Sequence, residues 1–366
     1  MIKLLVIFLL FPLISSNLFS RTIKIEVEFP SPQVKKKGKY YSVSIKGLPN
    51  FGNPGEPVLP VKTLKILIPP DEVIKEIKVI PQDKTFIEGK YIIIPGQKPV
   101  PLSKPKFYPL SPNSMIYQSS KPYPYKNYHS FKMQKFRGYR ILPINIYPVK
   151  FIPAQKTLFY YKKIEVIVET EKKTLFKGER LYRNLKKDRI LLFKKVDNPE
   201  IFTTYRISAN LSTTSILPEG SYNYIIITSE NLKDAFQPLI NHKIKRGLSA
   251  KIVTIEWISS NYDGNDQQEQ IRNFIIDAYN RWKIDYVLLG GDYKIVPVRL
   301  CYFPPYSGIY HEQMAPSDLY FACLDEEWNY DGDYYLGELT DVVHLLPDIA
   351  VGRLPFNTEE EVLEYY

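Results

Sequence analysis

The chain has 366 residues, of which 44% are hydrophobic and 24% charged, and its formal net charge is +10. At ~150 residues per domain this length suggests two domains, and 14% aromatic content excludes a disordered chain. The charge is divided: residues from 221 onward carry 23 acids and 11 bases, net −12, leaving +22 for residues 1–220. A basic front could indicate a nucleic-acid or membrane surface. Its Lys and Arg are scattered among strands and prolines, with no recognition helix or basic arm, so no nucleic-acid partner is expected. The preferred reading is that the two parts face each other within one chain.

In chain order, Lys3 supplies a positive start, Leu4 to Ile14 a short apolar run, and Ser15 to Ser20 small polar residues. Residues 1–20 are therefore read as a secretory signal peptide, too short to span a bilayer. No other stretch reaches transmembrane length, so no transmembrane segment is expected. Residues 21–206 are read as β-rich. Of the 30 prolines, 21 lie at or before residue 153, a density that blocks long helices. Strands are predicted at Arg21–Phe29, Tyr40–Ile45, Val61–Ile68, Glu76–Ile80, Tyr91–Ile94 and Phe159–Thr170, which suggests a sandwich or barrel. Residues 101–130 read as an extended loop. Residues 207–221 (ISANLSTTSILPEGS) read as an exposed linker, with cleavage expected between Thr204 and Ser221.

Residues 222–366 change character. Tyr222–Thr228 is a β-branched strand. Ser229 can cap a helix carrying Leu232, Phe236, Leu239 and Ile240 and closed by Gly247. Ala250–Trp257 reads as a second strand, Gln267–Trp282 as a second helix, and Asp285–Leu289 as a third strand ending in Gly290-Gly291-Asp292. Apolar strands alternating with amphipathic helices imply a flavodoxin-like, doubly wound parallel sheet. Ligands of such sheets gather at the carboxyl ends of the strands, where Asp292 is expected. Asp348–Val351 is a fourth short strand, and Thr358 caps a helix that begins with three glutamates. The chain stops at Tyr366 in the first turns of that helix, and so reads as the N-terminal part of a longer protein.

Candidate chemistry is sparse. Asp325, Asn329, Asp331, Asp333 and Glu338 offer hard oxygen ligands around a glycine, as a calcium loop does, although the spacing is not that of an EF-hand. A solvated acidic hairpin is the alternative. Asp292 could hold a metal, orient a catalytic group or cap the following turn, and the cap is preferred. Arg353 could bind a carboxylate ligand, but a structural pairing with an acid is preferred. Cys301 and Cys323 could form one disulfide or remain two separate buried thiols, and their spacing is not that of a metal site. The histidines are His129, His242, His311 and His344. A His311–Cys323 dyad requires the hairpin to bring the two together. A Ser317–Asp318–His344 triad lacks a nucleophile elbow. Phosphate-binding glycine motifs are absent.

The stretch Tyr222–Pro355 closely resembles the gingipain-type cysteine peptidases, family C25. The resemblance rests on YIIITSENLKDAFQPLINHKIKRGLSAKIVTIEWI, IRNFIIDAYNRWKIDYVLLGGDYKIVPVR, SDLYFACLD with its acidic loop, and DIAVGRLP, in that order. The front part resembles the family's propeptide, notably at Gly55–Val61 and Ile68-Pro69-Pro70. The resemblance implies a caspase-like α/β domain preceded by a β-rich propeptide that docks on its own catalytic domain, in a secreted zymogen acting on protein or peptide substrates. It also implies a possible structural calcium. The family's catalytic histidine precedes a glycine after a later strand, and its nucleophilic cysteine follows another. Neither motif occurs by Tyr366, so no catalytic residue is assigned and 1–366 alone is expected to be inactive. The resemblance extends to a non-catalytic or sortase-like branch of the family acting in outer-membrane protein secretion. A third reading, adhesion or glycan binding by the β-rich front, draws only on surface tyrosines.

Overall fold

The computed structural model describes residues 21–98, 110–172, 183, 185–205, 216–302, 314–325, 327–338, 340, 341, 343 and 346–365. The signal segment, 99–109 of the loop, 206–215 of the linker, His311 and His344 lie outside the described residues. Two compact units form, and they do not follow chain order. One comprises Met1–Lys62, Asp71–Asn127 and Tyr147–Thr174; the other comprises Thr63–Pro70, Tyr128–Ile146 and Leu175–Tyr366. Among the described residues no helix is long and apolar enough to cross a membrane.

The first unit is built on an antiparallel sheet. Its axis is the 16-residue strand Thr157–Lys172, in which Ile164, Val166 and Val168 alternate inward. Strand Glu72–Ile87 pairs along one edge; Arg21–Glu28 and Val149–Ile152 pair along the other. The alternation found in the sequence is the period-2 pattern of a sheet with one covered face. The pattern predicted too little for Glu72–Ile87, which runs far beyond Glu76–Ile80. It predicted too much at Tyr91–Ile94, where a single isolated bridge forms, from Ile93 to Tyr41. Lys150 is buried and donates to the carbonyls of Pro124 and Lys126 at 2.6 and 2.7 Å.

In the second unit the parallel sheet comprises β1 (Tyr224–Thr228), β2 (Ala250–Thr254), β3 (Tyr286–Gly290) and β4 (Ala350–Leu354), in the order β2-β1-β3-β4. Tyr224 stands beside both Ala250 and Tyr286, and Tyr286 beside Ala350. Helices α1 (Gln237–Lys245), α2 (Ile255–Asn261), α3 (Gln267–Arg281) and α4 (Glu359–Glu364) accompany it. Ile225, Ile227, Val287 and Leu289 pack with Ile258, Phe274 and Ile275 of α2 and α3. Ile226 points the other way, onto Phe236, Leu239 and Val362. Strand alternation thus serves two cores, and the sheet is covered on both faces, as its near-continuous apolar runs require.

Several elements differ from the sequence reading. Ser229 makes no side-chain cap: a short 3-10 turn, Glu230–Leu232, follows it, and α1 begins only at Gln237, where Pro238 suits the first turn. The fourth strand is Ala350–Leu354, displaced from the Asp348–Val351 expected, because Asp348 is buried by its backbone partners ahead of the sheet. The strand predicted for Ala250–Trp257 ends at Thr254, whose hydroxyl accepts from the Trp257 N–H at 3.4 Å and starts α2. A continuous apolar run does not by itself distinguish strand from helix. Lys186–Phe193, inside the stretch read as β-rich, is a helix. There Asp188 and Leu192 are buried while Ile190 and Phe193 are exposed, so hydrophobic spacing misleads.

The second unit also contains strand Lys62–Ile68 from Thr63 onward, with Tyr128–Ser130, Gln134–Phe136 and Tyr139–Ile146, and these share one sheet. Gln134–Phe136 and Tyr139–Ile146 form a hairpin closed by Arg137 (φ 52°) and Gly138 (φ 74°), the backbone of a tight primed turn. At the hairpin tip the Arg137 N–H donates to Asp348 Oδ1 at 2.6 Å, and its guanidinium bonds Asp188. Asp188 also receives Arg183 Nε at 3.1 Å and Nη2 at 2.8 Å. Arg183 continues to Asp285 Oδ1 at 3.1 Å, and Lys187 bonds the same carboxylate. These ion pairs join the hairpin and the helix Lys186–Phe193 to the parallel sheet.

Asp348 is fully buried, and its second oxygen accepts from the Leu324 N–H at 2.9 Å. Burial, followed by the neighbouring Asp325, pushes it from 3.8 up to about 7. The native state holds a proton that the unfolded chain releases near 3.8. This stabilisation is complete below that pH and is lost as pH rises through about 7. In urea denaturation of wild type and Asp348→Asn from pH 4 to 7.5, the wild type is expected to lose stability relative to the variant as pH rises. Parallel curves would contradict the assignment.

Candidate functional site

The carboxyl ends of the four strands converge on one rim. The chain leaves β1 for β2 through α1 on one face and β2 for β3 through α2 and α3 on the other. The order therefore reverses between β1 and β3, which opens a crevice there. A crevice of about 530 Å³ occupies this position, lined by Ser229, Asn231, Glu256, Gln267, Lys294 and Asn357 among others. Its walls combine hydroxyl, carboxamide and single-charge groups, able to donate to and accept from peptide groups, with the apolar Leu232, Ile255 and Ile295.

Each wall is fixed by its neighbours. The Thr254 hydroxyl donates to Glu230 at 2.7 Å and holds that exposed carboxylate below the usual range. Glu256 accepts from the Glu230 N–H at 3.1 Å. Asp266 caps α3 by accepting from the Glu269 N–H at 2.9 Å and is gripped by both Nη atoms of Arg299 at 2.7 Å. Gly290 is required by contact: an added Cβ would lie 2.7 Å from the Phe236 ring. Gly291 has φ +152°, and a Cβ there would strike Ile295.

Asp292 stands on the rim as a turn cap. Its Oδ1 accepts from the N–H groups of Lys294 at 2.8 Å and Ile295 at 3.3 Å. With its amide nitrogen turned toward Asp292, Asn357 donates to both carboxylate oxygens at 2.9 and 3.0 Å. Arg353 is a structural clamp. It holds Asp318 through two bonds of 2.9 and 2.8 Å and donates to the carbonyls of Gly291 at 2.9 Å and Val296 at 2.6 Å. One guanidinium thus ties β4 to the loop that carries Asp292.

The acidic loop gathers three of its five candidate ligands. One carboxylate oxygen each from Asp331, Asp333 and Glu338 lies within 4.8 Å of the others. Asn329 lies at the margin: its amide donates to the Asp333 carbonyl at 3.1 Å, and its buried Oδ1 has no partner. Asp325 is directed elsewhere. Its carbonyl accepts from Lys135 Nζ at 3.1 Å, and its charge bears on Asp348. Asp341 closes the same acidic stretch but is not among the five candidate ligands, and it is only 1% exposed. It accepts from the N–H groups of Tyr330 and Gly337, both at 2.7 Å, and of Glu338 at 3.2 Å, and so folds the loop. Only its burial distinguishes it from the other acids, and burial is not visible in composition.

No disulfide joins Cys301 and Cys323; both are buried thiols. Burial pushes Cys301 up to about 11, which leaves it a poor nucleophile at neutral pH. Cys323 has no exposed surface. Ser317 and Asp318 do not form a triad pair. The Ser317 hydroxyl caps the Leu319 N–H, and Asp318 is held by Arg353.

The family model of the C25 propeptide matches residues 13–199, and that of peptidase family C25 matches residues 217–366. The chain belongs to peptidase family C25, with the family's propeptide followed by sequence of its peptidase domain. No curated protein matches it. Among solved structures, it is similar to the complex of RgpB pro- and mature domains from Porphyromonas gingivalis: 18% identity, 49% of this chain and 93% of that one covered, TM-score 0.41. It is also similar to a structure addressing zymogenic latency of gingipain K from the same organism: 21% identity, 43% and 90% covered, TM-score 0.38. Dimeric latent PorU from P. gingivalis matches at 15% identity over 94% of this chain and 37% of that one, TM-score 0.30.

Replacing Arg353 with Lys keeps the charge but removes the planar fork. This is expected to cost about 1–3 kcal/mol in denaturant unfolding, and Arg353→Ala more. Equal stability of wild type and Arg353→Lys would remove the clamp from the account.

Proposed function

We propose that the chain is the N-terminal part of a secreted cysteine endopeptidase precursor, with a caspase-like catalytic domain. The observation that carries this reading is the ordered pair of family matches, propeptide before peptidase. The complete enzyme cleaves peptide bonds by thiolate attack, with a histidine as acid–base and N–H groups at the oxyanion. The thiol and imidazole lie downstream of Tyr366. Two features support this: Cys301 and Cys323 are buried, and neither family motif occurs in the sequence. Residues 1–20 direct export, and activation cleavage falls between Thr204 and Ser221.

The test compares peptide hydrolysis by 1–366 with hydrolysis by the chain extended through its downstream coding sequence. Thiol-dependent turnover is expected only from the extended, cleaved form, and is expected to survive Cys301→Ala and Cys323→Ala. Turnover by 1–366 that disappears on Cys323→Ala would overturn this assignment.

Asp331, Asp333 and Glu338, with Asn329 beside them, hold a structural calcium. Their donor set is all oxygen, as a hard cation prefers. Calcium at about 100 times its dissociation constant is expected to add ~2.7 kcal/mol to stability. The gain should vanish in Asp331→Asn/Asp333→Asn, and a thermal midpoint indifferent to calcium and chelator would refute the site.

A further inference from the structure

We propose that the amino end of the parallel sheet carries a guanidinium-binding socket. Arg183 fills it in this structure, and an arginine side chain from another peptide can enter when the segment bearing Arg183 departs. The socket walls come from α3 and the approach to β3. The Arg183 guanidinium lies 4.5 Å from the centroid of the Tyr279 ring. One Nη donates to the carbonyls of Lys283, at 3.2 Å, and Ile284. The other donates to Asp285 Oδ1 at 3.1 Å. The Arg183 side chain has no exposed surface.

The acceptors select a guanidinium over an ammonium. Two carbonyls and one carboxylate oxygen accept from the two Nη groups of Arg183, and an aromatic ring centroid lies 4.5 Å from the guanidinium carbon. A planar fork meets that set, and a point charge with tetrahedral donors does not. The backbone adds a cation preference of its own. Lys283, with φ 64°, closes α3 by donating its N–H to the Ala278 carbonyl at 3.0 Å. The socket thus sits at the C-terminal, negative end of a 15-residue helix.

The division of partners makes this a site and not only an internal ion pair. Asp188, the remaining partner of Arg183, lies five residues along the same segment and leaves with it. Both cations on Asp285, Arg183 and Lys187, are also on that segment. Its departure leaves a carboxylate, two carbonyls and a ring face arranged for a cation, and their reoccupation by an arginine-bearing peptide is favoured. The socket precedes β3, whereas the crevice follows it. At ~3.3 Å per residue the five-residue strand separates them by roughly 16 Å, so the socket is not part of the rim. Only the departure of the segment rests on the zymogen reading.

The test is chemical rescue in the full 366-residue chain. Arg183→Ala is expected to lower the thermal midpoint. Millimolar ethylguanidinium is expected to restore roughly half of the loss, an equal concentration of ethylammonium none, and wild type is expected not to respond. Should Arg183→Ala not fold unaided, the yield of folded protein on refolding with each ion is compared instead, in parallel with Arg183→Gln. Equal effects of the two ions, or none from either, would overturn the socket. Peptidase activity does not enter this readout, so the socket and the zymogen reading fail separately.

Discussion

Asp188 has no exposed surface, yet it carries a carboxylate. A charge in that position is tolerable only if it is fully paired, and removing one partner of such a pair costs about 3–5 kcal/mol. The partners are Arg183 and Arg137, one beside the helix Lys186–Phe193 and one at a hairpin tip. Arg183 then reaches Asp285 at the entry to β3, and the Arg137 backbone reaches Asp348 just before β4. A desolvated ion pair thus joins Arg183 to Asp285, and a backbone N–H joins the hairpin tip to the buried Asp348 carboxyl more than two hundred residues on.

Residues 137, 183 and 188 fall within the propeptide match, and residues 285 and 348 within the peptidase match. The boundary between the matches therefore does not coincide with a boundary between compact units, because the second unit takes in Thr63–Pro70, Tyr128–Ile146 and Leu175–Tyr366. The parallel sheet has an arginine at each end. Arg183 secures the amino end, and Arg353 secures the rim by clamping Asp318 and the Gly291–Val296 loop. Between them, Gly290 and Gly291 let the backbone pass where a Cβ would collide.

Much of the parallel sheet was legible because its cues are local. The apolar runs at Tyr224–Thr228 and Tyr286–Gly290, the amphipathic Gln267–Arg281 and the Thr358 capping box each follow from neighbouring residues alone. The Asp292 cap was legible for the same reason, whereas for Arg353 only the need for an acidic partner was legible, since Asp318 lies 35 residues away. Features fixed by distant partners were not legible. Lys186–Phe193 buries an aspartate and exposes isoleucine and phenylalanine, because its environment is an ion cage and not an oily face. The hairpin at Arg137-Gly138 lacks the Asn-Gly or Asp-Gly signal usual in such turns. In the acidic loop the sequence ranks its carboxylates alike, and only folding separates the buried Asp341 from the exposed Asp331 and Asp333.

The central claim is that sequence within the propeptide match is a structural part of the unit containing the peptidase sheet, held there by buried charge and not by the covalent linker. Native mass spectrometry of the chain after a single cut between Thr204 and Ser221 tests this directly. The two fragments are expected to travel together at neutral pH and low salt, and to separate when Arg183→Ala is combined with the cut. A wild-type front fragment that leaves freely once the linker is cut would contradict it.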